Sequence, residues 1–332
     1  MNERGLARLA LSALIGLICL AAIGCVPSGI ASPTPKRATA TSLPTFTATP
    51  VPIRTSVPTA TLIPAPTTTP TPGQPTPTPV PSPTPTPEPT PTETAGRMKV
   101  TIVYDNNEYD ERLKTAWGFA CLIERGDLTL LFDTGGDAAT LLSNMETLEL
   151  DPTEIDTIVL SHIHGDHVGG LGGILVINEE PTVYLPRSFP ASFKEQVKAD
   201  ARVVEVHEPM EIAEGIYTTG EMGRGIIEQS LVVETNRGLV VITGCAHPGV
   251  VSIVAKAKEI TDGEVYLVMG GFHLGGASQA TIEGIVEDFR KLGVQKAAPC
   301  HCSDDLARSI FERAYGEDFI WVGVGSKLEV GE

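Results

Sequence analysis

The stretch "SHIHGDHVGG" (Ser161–Gly170) places three histidines and one aspartate within six consecutive residues of a chain that has only 7 histidines. The apolar run "IDTIVL" precedes it and is typical of a buried strand. In a loop after a strand, residues two apart project to the same side, so two of the side chains can bind one ion. The other two face a neighbouring position, where a second ion can bind. The possible ligands in the stretch are His162, His164, Asp166 and His167. Imidazole and carboxylate ligands suit zinc, iron or manganese, so the stretch predicts a metal site, with a polar surface loop as the alternative.

The sequence from Arg97 onward alternates strand-like and helix-like segments and contains no internal repeat. Short apolar strands such as "LTLLFD" (128–133) and "GLVVITG" (238–244) are separated by stretches with helical periodicity, such as "SQATIEGIVEDFRKLG" (278–293). Asp137 stands where the N-cap of another helix is expected. Many short strands with interspersed helices favour an α/β fold of two sheets covered by helices over one parallel sheet.

The H-x-H-x-D-H motif resembles the signature of the metallo-β-lactamase-fold metallohydrolases, and the resemblance covers about Lys99 to Val330. The upstream stretch "LLFDTGG" also matches that family. The resemblance implies a four-layer αββα sandwich with the metals at one edge of the sheets. It also implies that Asp133 orients metal-site histidines through hydrogen bonds.

Downstream motifs resemble one branch, named for 7,8-dihydropterin-6-methyl-4-(β-D-ribofuranosyl)aminobenzene-5′-phosphate synthase. These motifs are "YDNN", "TGCAHPG", "MGGFHL" and "PCHCSD". They imply His247 and His301 as further metal ligands. They also imply His273 as a substrate-binding or acid/base residue, with metal binding or packing as alternatives. Many family members have an aspartate that bridges the metals in a "TGD" turn. Here Cys245 takes that place beside the ligands, either as a bridging group or as a small buried residue.

The resemblance implies two divalent ions, with zinc as the first expectation and iron or manganese as alternatives. The expected ligands are His162, His164 and His247 for one ion, and Asp166, His167 and His301 for the other. Such ions lower the pKa of water from about 15.7 to about 7, so a hydroxide would attack the electrophile. Asp166 and His273 are the expected catalytic residues. We therefore expect a hydrolase or transferase acting on a small-molecule phosphoester or pterin-type diphosphate. A di-iron redox protein and a non-catalytic ligand-binding lipoprotein are the alternatives.

Three further predictions concern the surroundings of these residues. Cys300 and Cys302 flank His301, and alternation along a strand would aim both thiols away from it, as buried packing residues. Asp105–Asn107 lie at the mouth of the pocket or form an ordinary turn. His207 has no such context and is expected in a solvated loop.

The N-terminal part divides into two segments. Residues 1–25 have a basic start, an apolar middle and a terminal "AAIGC", which predicts a signal peptide with a lipobox-like end; an uncleaved membrane anchor and simple secretion are the alternatives. Residues 26–96 are rich in Pro and Thr and predict a disordered, extended tether. The folded domain is then 97–332. All three alternatives place it outside the cytoplasm, with a membrane-anchored lipoprotein preferred to a secreted protein.

The chain is acidic, with a formal net charge of −17. Of its 24 Lys/Arg and 41 Asp/Glu, 5 and 3 precede Arg97, which leaves 19 and 38 and a net charge of −19 in the domain. Such a domain lacks the basic surface that nucleic-acid binding requires. The expected partner is a small-molecule substrate, with membrane contact only through the N-terminal anchor. The sequence does not predict an oligomeric state.

Overall fold

The structure is a computed structural model that describes residues 97–178 and 181–331. The predicted signal peptide (1–25) and tether (26–96) lie outside the described residues. Within the described ranges, no helix has both the length and the apolar character needed to cross a membrane.

The described strands form two sheets. The first has the order β13-β1-β2-β3-β4-β5-β6. Its strands are β1 (Met98–Tyr104), β2 (Ala120–Arg125), β3 (Leu128–Phe132), β4 (Thr157–Val159), β5 (Thr182–Pro186), β6 (Arg202–Val206) and β13 (Lys327–Val330). The second has the order β12-β11-β10-β9-β8-β7. Its strands are β7 (Met210–Ala213), β8 (Ile216–Thr218), β9 (Leu231–Thr235), β10 (Gly238–Thr243), β11 (Val265–Gly271) and β12 (Lys296–Cys300).

The helices are numbered here in chain order. They are α1 (Ala138–Thr147), α2 (Gly165–Val168), α3 (Leu171–Ile177), α4 (Ala191–Lys198), α5 (Val250–Thr261), α6 (Gln279–Lys291) and α7 (Asp304–Tyr315). Asp137 is the N-cap of α1, as predicted, because its carboxylate accepts a hydrogen bond from the Thr140 backbone N–H at 2.8 Å.

Alternation along the strands builds the layers. In β10, Val240 and Ile242 pack between the two sheets, whereas Leu239 and Val241 face α5 and α6 on the other side. A third apolar cluster lies between the first sheet and α1, α3 and α4. The order is therefore helices, sheet, sheet, helices. The predicted pair of sheets covered by helices is confirmed.

The parallel strands of the two sheets place the histidine-rich segments at one edge of the sheets. In the first sheet β3, β4, β5 and β6 run parallel, and in the second β10, β11 and β12 do so. Parallel strands place their carboxyl ends at the same edge of a sheet, which is where α/β proteins build sites. The histidine-rich segments leave these ends.

Two local predictions differ from the structure. The predicted loop at Ser161–Gly170 contains a short helix, α2, so that Asp166 and His167 lie in one helical turn. The strand alternation expected from Cys300 to Cys302 is interrupted, because β12 ends at Cys300 and residues 301–303 form a 3₁₀ turn. The second difference changes the position of Cys302, as described below.

Candidate metal centre

Polar side chains of the site follow five parallel strands at the edge where they end. Asp133 follows β3, and the H-x-H-x-D-H stretch follows β4. Cys245 and His247 come after β10, His273 after β11 and His301 directly after β12. The site therefore combines side chains from both sheets.

Asp166, His167 and His301 converge as one group of three. The Nε2 atoms of His167 and His301 are 3.3 Å apart. Asp166 Oδ2 lies 3.7 Å from the former and 3.5 Å from the latter. Zinc–nitrogen bonds of about 2.0–2.1 Å in a tetrahedron separate ligand atoms by about 3.3 Å. The three atoms therefore fit one divalent ion.

His162, His164 and His247 form the second group. His162 Nε2 and His164 Nδ1 are 3.0 Å apart. The His247 ring lies 4.8 Å from the His162 ring and 4.9 Å from the His164 ring, between centroids. His247 Nε2 is buried and has no hydrogen-bond partner among the described residues. A buried imidazole nitrogen without a partner beside two others fits a metal ligand.

Asp133 and Ser161 orient the buried histidines of both groups. Asp133 Oδ2 lies 2.7 Å from His167 Nδ1 and accepts a hydrogen bond from Ser161 Oγ at 2.7 Å. Asp133 Oδ1 accepts a hydrogen bond from the Ser161 backbone N–H, also at 2.7 Å. Ser161 Oγ is in turn 2.9 Å from His162 Nδ1. A carboxylate on the far nitrogen of a ligand histidine fixes its tautomer and ring orientation.

The protonation states of His162 and His247 also suit metal binding. Burial lowers the pKa of His162 and, with neighbouring His273 and His164, lowers the pKa of His247 to about 4. Both rings are therefore neutral near pH 7, the form that binds metal. Burial also lowers the pKa of His167, but the Asp133 carboxylate outweighs burial and raises it. Burial raises the pKa of Asp166, yet hydrogen bonding to His301 and the charge of His167 bring it down to about 2.

Glu228, which is not among the residues predicted from the sequence, shapes the loop that carries His247. Its Oε1 accepts hydrogen bonds from the backbone N–H groups of Cys245 (2.9 Å) and Ala246 (2.8 Å), and its Oε2 accepts one from His247 (2.8 Å). Burial raises the pKa of Glu228 to about 7. Glu228 follows a stretch without strand periodicity, so no local pattern marked it.

Asn106 performs a similar role for His301. Asn106 Oδ1 lies 2.9 Å from His301 Nδ1, and Asn106 Nδ2 donates to the His301 carbonyl at 3.1 Å. The "YDNN" stretch therefore reaches the site rather than forming an ordinary turn. Trp117, which is 61% exposed, lies beside the same imidazole with ring centroids 4.9 Å apart. No sequence motif marks Trp117 as a residue of the site.

Cys300 and Cys302 are both buried, as expected, but Cys302 also lies beside two other donor side chains. Because Cys302 lies in the 3₁₀ turn and not in a strand, its thiol points toward Cys245 and His273. Hydrogen bonds to Cys245 and His273 lower the pKa of the Cys302 thiol, and the same contact with Cys302 raises the pKa of Cys245. Cys245 Sγ also lies 3.2 Å from His167 Nε2, in direct contact with a predicted ligand.

His207 is a loop residue with an exposed ring, as predicted, and its imidazole lies next to Glu221.

Backbone strain is concentrated at the same place. Asp133, Ala246, His273 and His301 all adopt left-handed φ values, between 49° and 61°. Non-glycine residues are uncommon in this region, and such strain clusters at functional sites.

Comparisons with known proteins agree with this geometry. The family model of the metallo-beta-lactamase superfamily matches residues 118–257. The 7,8-dihydropterin-6-methyl-4-(beta-D-ribofuranosyl)-aminobenzene-5′-phosphate synthase of Methanocaldococcus jannaschii is 32% identical over 269 residues, which cover 66% of this chain and 92% of the synthase. The superfamily thus includes a synthase as well as hydrolases.

Two solved structures share the fold. Tm1679, a metal-dependent hydrolase of the beta-lactamase superfamily, superposes with a TM-score of 0.60 at 28% identity, covering 71% of this chain and 100% of Tm1679. YhfI from Bacillus subtilis, a metallo-beta-lactamase fold protein, gives a TM-score of 0.56 at 16% identity over 70% of this chain and 99% of its own. This chain belongs to the metallo-β-lactamase superfamily, on the branch that resembles the dihydropterin synthase.

Proposed function

We propose that the chain is a dinuclear metal-dependent hydrolase or transferase that acts on a small-molecule phosphoester or a related electrophile. The observation that carries this proposal is the pair of separate ligand groups at one sheet edge. His162 and His167, one from each group, have ring centroids only 4.2 Å apart. Two ions held this close can act on one substrate from both sides.

The chemistry divides between the ions and the chain. Zinc ions, or iron or manganese in their place, would polarise the electrophile and lower the pKa of water at the site. Asp133 and Asn106 hold His167 and His301 in fixed orientations. Asp166 would supply a carboxylate to the ion held by His167 and His301. His273 is exposed at the edge of the site, where it can bind the substrate or transfer a proton.

The proposed substrate class follows from the relatives and the pocket surroundings. The relative from Methanocaldococcus jannaschii is named as a synthase of a phosphate compound, and Tm1679 is described as a hydrolase. The domain charge of −19, from 19 basic and 38 acidic residues, disfavours nucleic acid as a substrate. Exposed Trp117 beside His301 offers an apolar face for a planar group.

We also propose that the domain is displayed outside the cytoplasm on a lipid or signal anchor. This proposal rests on the sequence of 1–96 alone: the basic and apolar start, Cys25 and the Pro/Thr-rich stretch. Export to an oxidising compartment would also expose its thiols to disulfide chemistry. Fractionation of cells that express the full chain, with Cys25→Ala as the comparison, tests this point.

The decisive test combines metal analysis with turnover. The full-length chain is purified, its metal content is measured by mass spectrometry, and it is assayed on bis-p-nitrophenyl phosphate before and after chelation. We expect zinc or manganese in both groups, and turnover that is lost on chelation and in Asp166→Ala. The exposed variant Asp151→Asn should keep full turnover.

Other outcomes point to the alternatives. Bound iron without ester turnover would favour redox chemistry. Ligand binding that persists in Asp166→Ala without any turnover in the parent chain would favour a binding protein. Folded protein without stoichiometric metal would contradict the proposal.

A further inference from the structure

More potential metal ligands converge at the site than two ions require. The two groups described above use six side chains: His162, His164 and His247, and Asp166, His167 and His301. Three further donors lie at the same edge: Cys245, whose Sγ also lies within 4.8 Å of ligand atoms in both of these groups, His273 and Cys302. Their ligand atoms all lie within 4.8 Å of one another.

The three residues come from three different strand ends. Cys245 follows β10, His273 follows β11 and Cys302 follows β12. The His273 backbone N–H donates to Cys302 Sγ at 3.3 Å, and Cys302 Sγ lies 3.7 Å from the Cys245 carbonyl oxygen. Both thiols are buried, at 4% and 8% exposure, and His273 is exposed. Both cysteines are free thiols in this structure.

The backbone is shaped to admit these sulfur atoms. A Cβ at Gly271 would lie 2.8 Å from Cys302 Sγ and would also collide with the Gly244 carbonyl oxygen, so only glycine fits at this point of β11. The chain then folds over Cys302, whose carbonyl accepts hydrogen bonds from the N–H groups of Leu274 (3.2 Å) and Gly275 (2.9 Å). His273 within this segment has a left-handed φ of 54°. A strained histidine held over a buried cysteine is not explained by packing alone.

The geometry points to a third metal site, in which Cys245, Cys302 and His273 bind a thiophilic ion such as zinc, copper(I) or cadmium. Two thiolates and one imidazole are a known zinc ligand set that leaves the fourth position open. Thiolate ligands select soft ions. Cys245 lies close enough to the other two groups to be shared with them, so Cys302 and His273 are the ligands that distinguish this site. Exposed His273 gives the ion a route in from solvent. The site does not depend on the proposed hydrolytic activity.

Cadmium titration of the reduced full-length chain under anaerobic conditions tests the assignment. Cadmium is counted by native mass spectrometry, and sulfur ligation is detected by the ultraviolet thiolate-to-cadmium charge-transfer band. The variants are Cys302→Ala and His273→Ala. The matched control is Cys121→Ala, which removes a buried thiol from the interior of β2. Cys121→Ala and Cys302→Ala both keep Cys19 and Cys25, so any cadmium band from these two thiols is the same in both variants and drops out of the difference.

The parent chain and Cys121→Ala should bind one ion more than Cys302→Ala and His273→Ala. The charge-transfer band should be lost in Cys302→Ala and weakened in His273→Ala, with unchanged circular dichroism. Equal ion counts and equal bands in all four proteins would overturn the site. A Cys245–Cys302 disulfide in the freshly isolated chain, found by peptide mapping without reduction, would also overturn it. If the extra ion is present but phosphodiester turnover is absent, the proposed function fails and this site stands.

Discussion

A single carboxylate, Asp133, connects the two histidine groups. It is fully buried and contacts His167 directly and His162 through Ser161. Its removal therefore disturbs both groups without removing any predicted ligand.

Asp133→Asn should lower metal affinity by about 10–100-fold, because an amide cannot accept from all its present partners and no longer fixes the His167 tautomer. Competition with a coloured chelator measures the change. The control is Asp151→Asn, an exposed cap whose carboxylate accepts from Thr153 N–H, since asparagine caps equally well. Equal affinities in the two variants would contradict the role assigned to Asp133.

Glu228 offers a second test at the scale of one side chain. Its two carboxylate oxygens accept three backbone N–H bonds, whereas glutamine has only one oxygen to offer. In Glu228→Gln the His247 N–H loses its acceptor, and the free energy of unfolding should fall by about 1–3 kcal/mol. Urea denaturation of the metal-free chain measures this.

The control for Glu228 is Glu214→Gln, at an exposed position between β7 and β8. Its stability should change by less than about 0.5 kcal/mol. A Glu228→Gln protein as stable as Glu214→Gln would show that the loop carrying His247 does not need the carboxylate.

At the scale of elements, periodicity and caps were sufficient to predict most strands and helices. The alternation of Leu239 to Ile242 and the Asp137 cap are patterns within a short stretch of sequence, and each predicted the local structure that is observed. The motif histidines could also be found, because they follow apolar strands. Glu228 and Asn106 could not be placed in the same way, because their partners lie 17–19 and 195 residues away along the chain.

The end of β12 shows the same limit. Nothing in "PCHCSD" indicates the 3₁₀ turn at residues 301–303, so strand alternation did not predict that Cys302 lies beside Cys245 and His273. The turn is held by contacts from the loop after β11: the Leu274 and Gly275 N–H groups donate hydrogen bonds to the Cys302 carbonyl. Element boundaries are set by such tertiary contacts rather than by propensity.

The short helix α2 depends on close packing that only glycine permits. A Cβ at Gly169 would collide with the Gly136 carbonyl oxygen and with Gly165. By contrast, a Cβ at Gly172 in α3 would meet nothing within 4 Å. Gly169→Ala should therefore destabilise the domain by about 1–3 kcal/mol through overpacking.

Gly172→Ala should be neutral or stabilising by about 0.5–1 kcal/mol, because alanine is the better helix former. Thermal unfolding of the two variants side by side gives the comparison. If both alanines lower the melting temperature equally, the close approach of α2 to Gly136 is not what requires glycine at 169.

At the scale of the whole molecule, the metal groups join the two sheets. Asp166 and His167 belong to the segment after β4 in the first sheet, and His301 follows β12 in the second. The other group likewise combines His162 and His164 with His247, which follows β10. Ions bound there connect the two halves of the sandwich at one edge, so their binding free energy adds to the stability of the fold.

Removal of the ions should therefore lower the melting temperature of the whole domain. A ligand present at a thousandfold excess over its Kd stabilises the native state by about 4 kcal/mol. For a domain of this size each kcal/mol corresponds to about 2–4 °C, which gives a fall of about 8–16 °C on chelation. Calorimetry of the full chain with and without chelator measures it. Asp166→Ala, which lacks one ligand of the group formed with His167 and His301, should show a smaller response to chelator. A melting temperature that chelation leaves unchanged in the parent chain would mean that the ligand groups at the sheet edge do not hold the two sheets together.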